Sequence, residues 1–329
     1  MRTTRLAAID LGTNTVKLLV GDSDGLTITP IHQASIQTRL GAGLQENRTL
    51  SQASIDHTLA SVQSFLAIAK ELEVEHVVAN ATSAVRDALN GPAFAKSFRE
   101  ATGLQLHIIT GKEEADLVFR GIRSGPTTQS EHQIIIDVGG GSTEIIVASR
   151  ERVQVQESFD VGSVRLLETA SLTDPLTPNQ RDAFSTRLTT SYESLIKTVS
   201  SKEHWSSVPA LIAAGGGAVA ASMLLNTMTQ FDPQAIEAQP LSLEDLRHLD
   251  TRLWQTELEE RRSWPGMPRD RADIVPIGVA IFVHLMEAFD LPQLWVSTRG
   301  LRFGLLLKHC HSVQIALNEG QSASTTQGP

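Results

Sequence analysis

The chain has 329 residues, with 28 Lys and Arg against 37 Asp and Glu and a formal net charge of −9. At about 150 residues per domain the length suggests two domains or one large one, and the acidic balance argues against a general nucleic-acid binder or a membrane-surface protein. Apolar residues make up 41% and charged residues 20%, enough for a packed core and too apolar for a disordered chain. The lone cysteine, Cys310, excludes an intramolecular disulfide framework and a cysteine-rich zinc site, and it suits a reducing cytoplasm. Arg2 and Arg5 precede only a short apolar run broken by Asp10, so no signal peptide is expected. The most apolar stretch, Ile274 to Met286, is too short to span a bilayer and contains His284.

Leu6 to Ile9 reads as a strand, followed by the polar turn Gly12-Thr13-Asn14-Thr15 and a second strand, Val16 to Val20. The turn formers of Gly21 to Gly25 predict a further hairpin arm over Leu26 to Ile31. Ser51 opens a long helix with Ile55, Leu59, Val62, Leu66, Ile68 and Leu72 on one face. Val77 to Ala79 reads as a buried strand. Gly103 ends the next helix before a strand over Leu104 to Ile109, and Lys112 to Arg123 is a further helix. Strands alternating with helices imply an α/β domain.

The polar stretch Ser124 to Gln133 is the linker candidate, and after it the opening pattern returns. Ile135-Ile136-Asp137-Val138-Gly139 repeats Ala8-Ile9-Asp10-Leu11-Gly12, each followed by small hydroxyl residues and another apolar strand. Two copies of strand, Asp-x-Gly turn, strand suggest an internal duplication with a cleft between its halves. Leu211 to Ala214 is a strand, and helices are predicted over Gln180 to Thr198, Gly217 to Met228, Ser242 to Arg262 and Asp270 to Phe289. The polar end, 318–329, is expected to be disordered.

The strongest chemical signal is Asp137-Val-Gly-Gly-Gly-Ser-Thr-Glu144. Its glycines expose backbone N–H groups at close range, as anionic oxygens require. Asp137 and Glu144 can lie on neighbouring strands, and two carboxylates near phosphate oxygens suit Mg²⁺. The alternative is a tight glycine hairpin with Glu144 solvated. A second run, Gly215-Gly216-Gly217, leads from a strand into a helix, and alone it is compatible with simple strand–helix packing. Three such turns in one chain, after Asp10, after Asp137 and at Gly215, are harder to dismiss than any one.

The trio resembles the phosphate-binding loops of the actin, Hsp70 and sugar-kinase superfamily. More narrowly, the chain resembles the exopolyphosphatase/guanosine pentaphosphate phosphatase family. The matching segments begin with Ile9-Asp-Leu-Gly-Thr-Asn-Thr-Val16, Ala81-Thr-Ser-Ala-Val-Arg86, Gly111-Lys-Glu-Glu-Ala-Asp116 and Ile136 to Glu144. They continue with Asp160-Val-Gly-Ser-Val-Arg165, Gly215-Gly-Gly217, Arg271-Ala-Asp273 and Ser297-Thr-Arg-Gly-Leu301. The resemblance implies two actin-like, ribonuclease H-like α/β domains with an interdomain active-site cleft and extra helices in the second. Domain I would span 1–125, with the chain returning to it at about 300–317, and domain II would span 126–299. It further implies Mg²⁺-dependent hydrolysis of a terminal phosphoanhydride in inorganic polyphosphate or guanosine pentaphosphate, by a cytoplasmic homodimer without nucleic-acid or membrane partners. The family's base lands on Glu114, which would orient and deprotonate the attacking water. Glu113 competes at the adjacent position, although neighbouring helix residues point about 100° apart, and a solvated first helical turn would also explain both acids. Arg86 would grip a substrate phosphate with two guanidinium donors, the alternative being an ordinary surface ion pair with Asp87 or another carboxylate. Thr13, Asn14, Gly139, Gly140, Gly141, Ser142, Gly215 and Gly216 would cradle phosphate oxygens, and Asp137, Glu144 and Asp10 would be metal-site acids. Lys17 is read as structural, while Arg165 and Asp273 receive no role.

Two departures stand out. The third loop, Ala213-Ala-Gly-Gly-Gly-Ala218, lacks the hydroxyl residues common in relatives, and Phe303 replaces a usual glutamate. Ending near residue 329, the chain is expected to be the short two-domain form. There is no HExxH, no Walker-A lysine follows the glycine turns, and Cys310 between His309 and His311 is read as incidental. Two other functions remain open: a small-molecule kinase of the same superfamily, and a non-catalytic polyphosphate or nucleotide sensor.

Overall fold

In the computed structural model, which describes residues 3–126, 130–149, 152–170, 172–200 and 208–310, strand β1 (Thr4–Leu11) is buried on both faces from Leu6 onward. Apolar side chains on both faces suit the centre of a covered sheet. β1 pairs antiparallel with β2 (Thr15–Ser23), and β2 with β3 (Ile28–Gln37). On its other side β1 runs parallel to β4 (His76–Ala81), and β4 to β5 (Leu106–Ile108). The helices in this part of the chain are α1 (Leu44–Asn47), α2 (Gln52–Glu71), α3 (Ser83–Asp87), α4 (Gly91–Thr102) and α5 (Gly111–Arg123).

The second sheet is built from β6 (His132–Val138), β7 (Thr143–Ser149), β8 (Arg152–Phe159), β9 (Ala210–Ala214), β10 (Leu241–Ser242) and β11 (Gln293–Val296). Around it lie α6 (Ser163–Thr169), α7 (Pro178–Ser191), α8 (Glu193–Ser200), α9 (Gly215–Leu225), α10 (Pro233–Glu237), α11 (Leu243–Gln255), α12 (Leu258–Arg261) and α13 (Val275–Ala288). A last helix, α14, occupies residues 301–310. The strand orders are β3-β2-β1-β4-β5 and β10-β11-β9-β6-β7-β8. β3-β2-β1-β4-β5 and β8-β7-β6-β9-β11 share one pattern, two antiparallel pairings and then two parallel ones. The repeat seen in the Asp-x-Gly turns is therefore a repeat of topology.

The described chain forms two compact units. One comprises the chain up to Leu40, Leu50–Ser124 and the residues from Arg299 on; the other comprises Gly41–Thr49 and Gly125–Thr298. Within the second unit, the Gly43 N–H donates to Glu168 on α6 at 2.8 Å, tying the 41–49 segment down. The second core gathers α9, α11 and α13 on its sheet through Leu224, Leu249 and Phe282. No described helix is long and apolar enough to cross a membrane.

Several expectations shift. β3 runs to Gln37 rather than Ile31, because β2 offers it a partner strand as far as Thr15. α2 starts after its Ser51 cap as expected, but its most buried positions are Ile55, Thr58, Ser61, Val62, Phe65 and Ala69, leaving Leu59 and Leu66 half-buried. The predicted helix over Gln180 to Thr198 divides at Tyr192, whose fully buried ring meets Phe159 edge-on at 5.2 Å. The one over Ser242 to Arg262 divides after Gln255, and the last begins at Val275, with Pro276 in its first turn. In the linker candidate, residues 127–129 lie outside the described residues and His132 and Gln133 already belong to β6. The tail over 318–329 also lies outside them.

Asp250 on α11 is buried, accepts from Trp254 Nε1 at 2.9 Å and pairs with Arg181. Burial dominates over Arg181 and pushes its carboxyl up to about 6. An acid raised on folding stabilises the fold below its unfolded pKa, and that stability is lost as pH rises through the folded value, here by about 3 kcal/mol between about pH 4 and pH 6. Asp250→Asn keeps the acceptor for Trp254 and abolishes the titration. Its melting temperature relative to wild type should therefore rise from pH 4 to pH 7; a difference independent of pH would contradict this.

Candidate active site

β1, β4 and β5 are parallel, so their carboxyl ends share one edge of the first sheet, the usual ligand-binding edge of such sheets. Each end carries candidate groups. At β1, Asp10, Thr13 and Asn14 are all buried, and the Gly12 N–H closes the turn on Thr15 O at 3.1 Å. Asp10 lies opposite Lys17 on β2 and beside Asn80 on β4. Burial raises the Asp10 carboxyl above its ordinary range, against the pull of Lys17 and Arg302. Asp10 Oδ1, Asn14 Nδ2 and Asn80 Nδ2 are buried without hydrogen-bond partners. Each such atom costs about 1–3 kcal/mol, so this edge suits a polar ligand.

At the end of β4, the Thr82 N–H donates to Leu11 O at 3.2 Å, and α3 starts beside the first turn. Arg86 on α3 donates from Nη1 to Glu114 Oε2 at 3.1 Å and to Ile109 O at 3.0 Å, whereas its Nε stands 3.7 Å from Asp87. At the end of β5, Thr110 caps α5. Its N–H donates to Glu113 Oε2 at 2.8 Å, and the Glu113 N–H donates to Thr110 Oγ1 at 3.2 Å. These bonds form a capping box, and the Thr110 backbone and hydroxyl donors hold the Glu113 carboxyl below its ordinary range. Glu113 is thus spent on the helix start, while Glu114, 8% exposed, turns inward to Arg86. That arrangement separates the two adjacent acids, which spacing alone left level.

In the second unit, Asp137 at the end of β6 and Glu144 on β7 are direct cross-strand partners and lie on one face of the sheet. Glu144 is 1% exposed and accepts from Ser158 Oγ at 2.8 Å. The Gly139 N–H closes this turn on Ser142 O at 2.9 Å, the same bond as in the first copy. β9 runs parallel to β6 and delivers Gly215 against Asp137. Gly215 has φ +88°, and a Cβ there would lie 2.5 Å from Asp137 Oδ1. The run after β9 therefore positions a carboxylate. Gly215→Ala combines a left-handed backbone penalty with this clash and should destabilise by about 2–4 kcal/mol in denaturant melts; wild-type stability would show that Asp137 does not rest on Gly215.

Three residues that sequence reasoning left without roles enter this geometry. Asn80 is the strand neighbour of Asp10, the Arg271 guanidinium lies over Gly216, and Arg165 donates from Nε to Gly141 O at 2.7 Å. Only the matching segments around Arg165 and Arg271 pointed to either arginine; nothing local pointed to Asn80.

Among the described residues, no group of three or more His, Cys, Asp or Glu side chains is placed to hold a metal. The pair Asp137 and Glu144 nevertheless fits Mg²⁺, which takes one or two protein carboxylates and completes its shell with phosphate oxygens and water.

Two sheets of one topology, each with an Asp-x-Gly turn at the carboxyl end of its central strand, define a duplicated α/β fold with phosphate-type loops. The model of the Ppx/GppA phosphatase family matches residues 19–313, and the chain belongs to this family. Membership makes it a hydrolase. It is 30% identical over 322 residues to exopolyphosphatase 2 of Mycobacterium tuberculosis, covering 93% of this chain and 99% of the relative. It is 25% identical to the guanosine-5'-triphosphate,3'-diphosphate pyrophosphatase of Aliivibrio fischeri, over 91% of this chain and 58% of that one. The crystal structure of an exopolyphosphatase from Cytophaga hutchinsonii matches with TM-score 0.85 and 26% identity, covering 94% of this chain and 98% of that one. A Ppx/GppA family member from Aquifex aeolicus matches with TM-score 0.77 and 26% identity, covering 94% and 98%. These matches share the two-domain actin-like α/β architecture expected from the turns.

Proposed function

We propose that this protein hydrolyses the terminal phosphoanhydride of inorganic polyphosphate, of guanosine pentaphosphate, or of both, and releases orthophosphate with Mg²⁺ as cofactor. The observation that carries the reading is the partly buried pairing of Arg86 with Glu114 while Glu113 is held in a capping box. The names of the relatives supply the two substrates.

In this reading Glu114 orients the attacking water and accepts its proton. Arg86, bound to Glu114, directs that carboxylate and grips a phosphate oxygen, the planar fork suiting it to both tasks. Thr13 and Asn14 in the first unit, and the amides of Gly139 to Ser142 with Gly215 and Gly216 in the second, take phosphate oxygens. Asp137 and Glu144 would hold Mg²⁺, with Asp10 the first unit's candidate acid. The ion, when bound, neutralises charge on the phosphate being displaced.

The test is phosphate release from long-chain polyphosphate and from guanosine pentaphosphate, side by side, with Mg²⁺ and with a chelator. Release that requires Mg²⁺ is the expected result, and the ratio of rates ranks the substrates. No release from either by folded protein would overturn the reading, and phosphoryl transfer from ATP to an alcohol would put a kinase in its place.

A further inference from the structure

The carbonyl groups of the glycine turn all face one way. Gly139 O accepts from Ser163 N–H at 3.0 Å and Ser163 Oγ at 3.2 Å. Gly140 O accepts from Val164 N–H at 2.8 Å and Arg165 N–H at 3.0 Å. Gly141 O accepts from Arg165 Nε at 2.7 Å. The first turn of α6 comes so close that a Cβ on Gly162 would lie 2.5 Å from Gly140 C and O. In a planar trans peptide the N–H points opposite to the preceding carbonyl. Holding these three carbonyls against α6 therefore aims the N–H groups of Gly140, Gly141 and Ser142 the other way. Among the described residues none of these three N–H groups has an acceptor. Successive unpaired amides of this kind form an anion-binding concavity.

Two of the three carbonyl anchors are backbone groups. Only Gly141 O is held by a side chain without a backbone donor beside it, and that side chain is itself braced. Arg165 is 15% exposed, its Nη1 donates to Gln45 Oε1 at 3.2 Å, and its Nη2 stands 3.7 Å from Asp160. We propose that Arg165 is a positioning residue which, by holding the Gly141 carbonyl, keeps the Ser142 N–H aligned with those of Gly140 and Gly141 for a substrate phosphate oxygen. The inference rests on the phosphatase reading above, in which this turn receives phosphate.

Arg165→Met keeps the apolar stem and removes the anchor. Losing one aligned donor to a charged oxygen weakens binding by about tenfold. With polyphosphate, KM should rise by that factor, kcat should stay within about threefold of wild type, and the melting temperature should change little. Arg165→Lys, which can still donate to Gly141 O, should fall between the two, and it carries the test if the methionine variant does not fold. Gln45→Ala, which removes only the far brace, should lie near wild type. In protein labelled with ¹⁵N-glycine and ¹⁵N-serine, inorganic tripolyphosphate should shift the Gly140, Gly141 and Ser142 amides in wild type, and the Ser142 shift should shrink most in Arg165→Met. Wild-type KM and wild-type shifts in Arg165→Met would overturn the proposal while leaving the phosphatase reading in place. So would a Gln45→Ala variant that reproduced the full loss. An inactive wild type would instead overturn the phosphatase reading, and this proposal with it.

Discussion

Glu114→Gln should lower phosphate release from polyphosphate or guanosine pentaphosphate by about 10²- to 10⁴-fold, the usual contribution of a positioned general base, while polyphosphate binding persists. Glutamine is nearly isosteric with glutamate and retains an oxygen that can accept from Arg86 Nη1, now 3.1 Å from Glu114 Oε2. The fold around α3 and α5 should survive, and what disappears is the ability to take a proton from water. The neighbouring variant gives the control. Glu113→Gln loosens the capping box on Thr110 and should cost about 1 kcal/mol of helix stability with little change in turnover. Steady-state rates and equilibrium binding of a fixed-length polyphosphate measure both. Wild-type turnover in Glu114→Gln would remove Glu114 from the mechanism, and a collapse of activity in Glu113→Gln alone would exchange the two roles.

Gly304→Ala should be among the most damaging single-methyl changes in the first unit. α5 and α14 cross backbone to backbone. A Cβ on Gly304 would lie 1.9 Å from Leu117 O, and one on Gly121 would lie 2.0 Å from Gly300 O. Leu117 and Gly121 both lie on α5, the helix that carries Glu114 near its start. No side-chain rotation relieves contact with a carbonyl oxygen, so the helices must separate. Overpacking of this kind costs about 3 kcal/mol or more when backbone has to move, and it displaces α5 from β5. The expected result is an early loss of the first unit in thermal or urea unfolding, with reduced activity in whatever remains folded. Unfolding indistinguishable from wild type would mean that the two helices do not cross here.

Much of this was legible locally. The Asp-x-Gly turns, the Ser51 cap, the Gly103 stop and the strand-to-helix step at Gly215 each depend on a residue type that few others replace. Backbone angle and capping chemistry are settled within a few residues. The hairpin carrying Asp137 and Glu144 followed from the same reasoning, because a short turn between two apolar strands places those positions opposite one another. Helix breaks were harder to see. The division at Tyr192 reflects the packing of a buried ring against Phe159, a residue distant in sequence, and periodicity across 180–198 carries no trace of it. The short strand β11 escaped notice because its pairing with β9, rather than its four residues, defines it.

The sequence alone thus determined the duplicated α/β plan, the turns and the set of acids and glycines available for chemistry, because each is written in spacing or in local backbone demand. Tertiary structure decided which of those groups lie together. Glu114 is distinguished from Glu113 by Arg86, which reaches it from another helix, while Glu113 is absorbed by a cap three residues away. Asn80 joins Asp10 only because β4 lies beside β1, and Arg165 reaches Gly141 only because α6 folds back onto the turn. A partner across a sheet or from a returning helix is fixed by packing, which depends on shape throughout the core and leaves no pattern in the residues on either side of the contact.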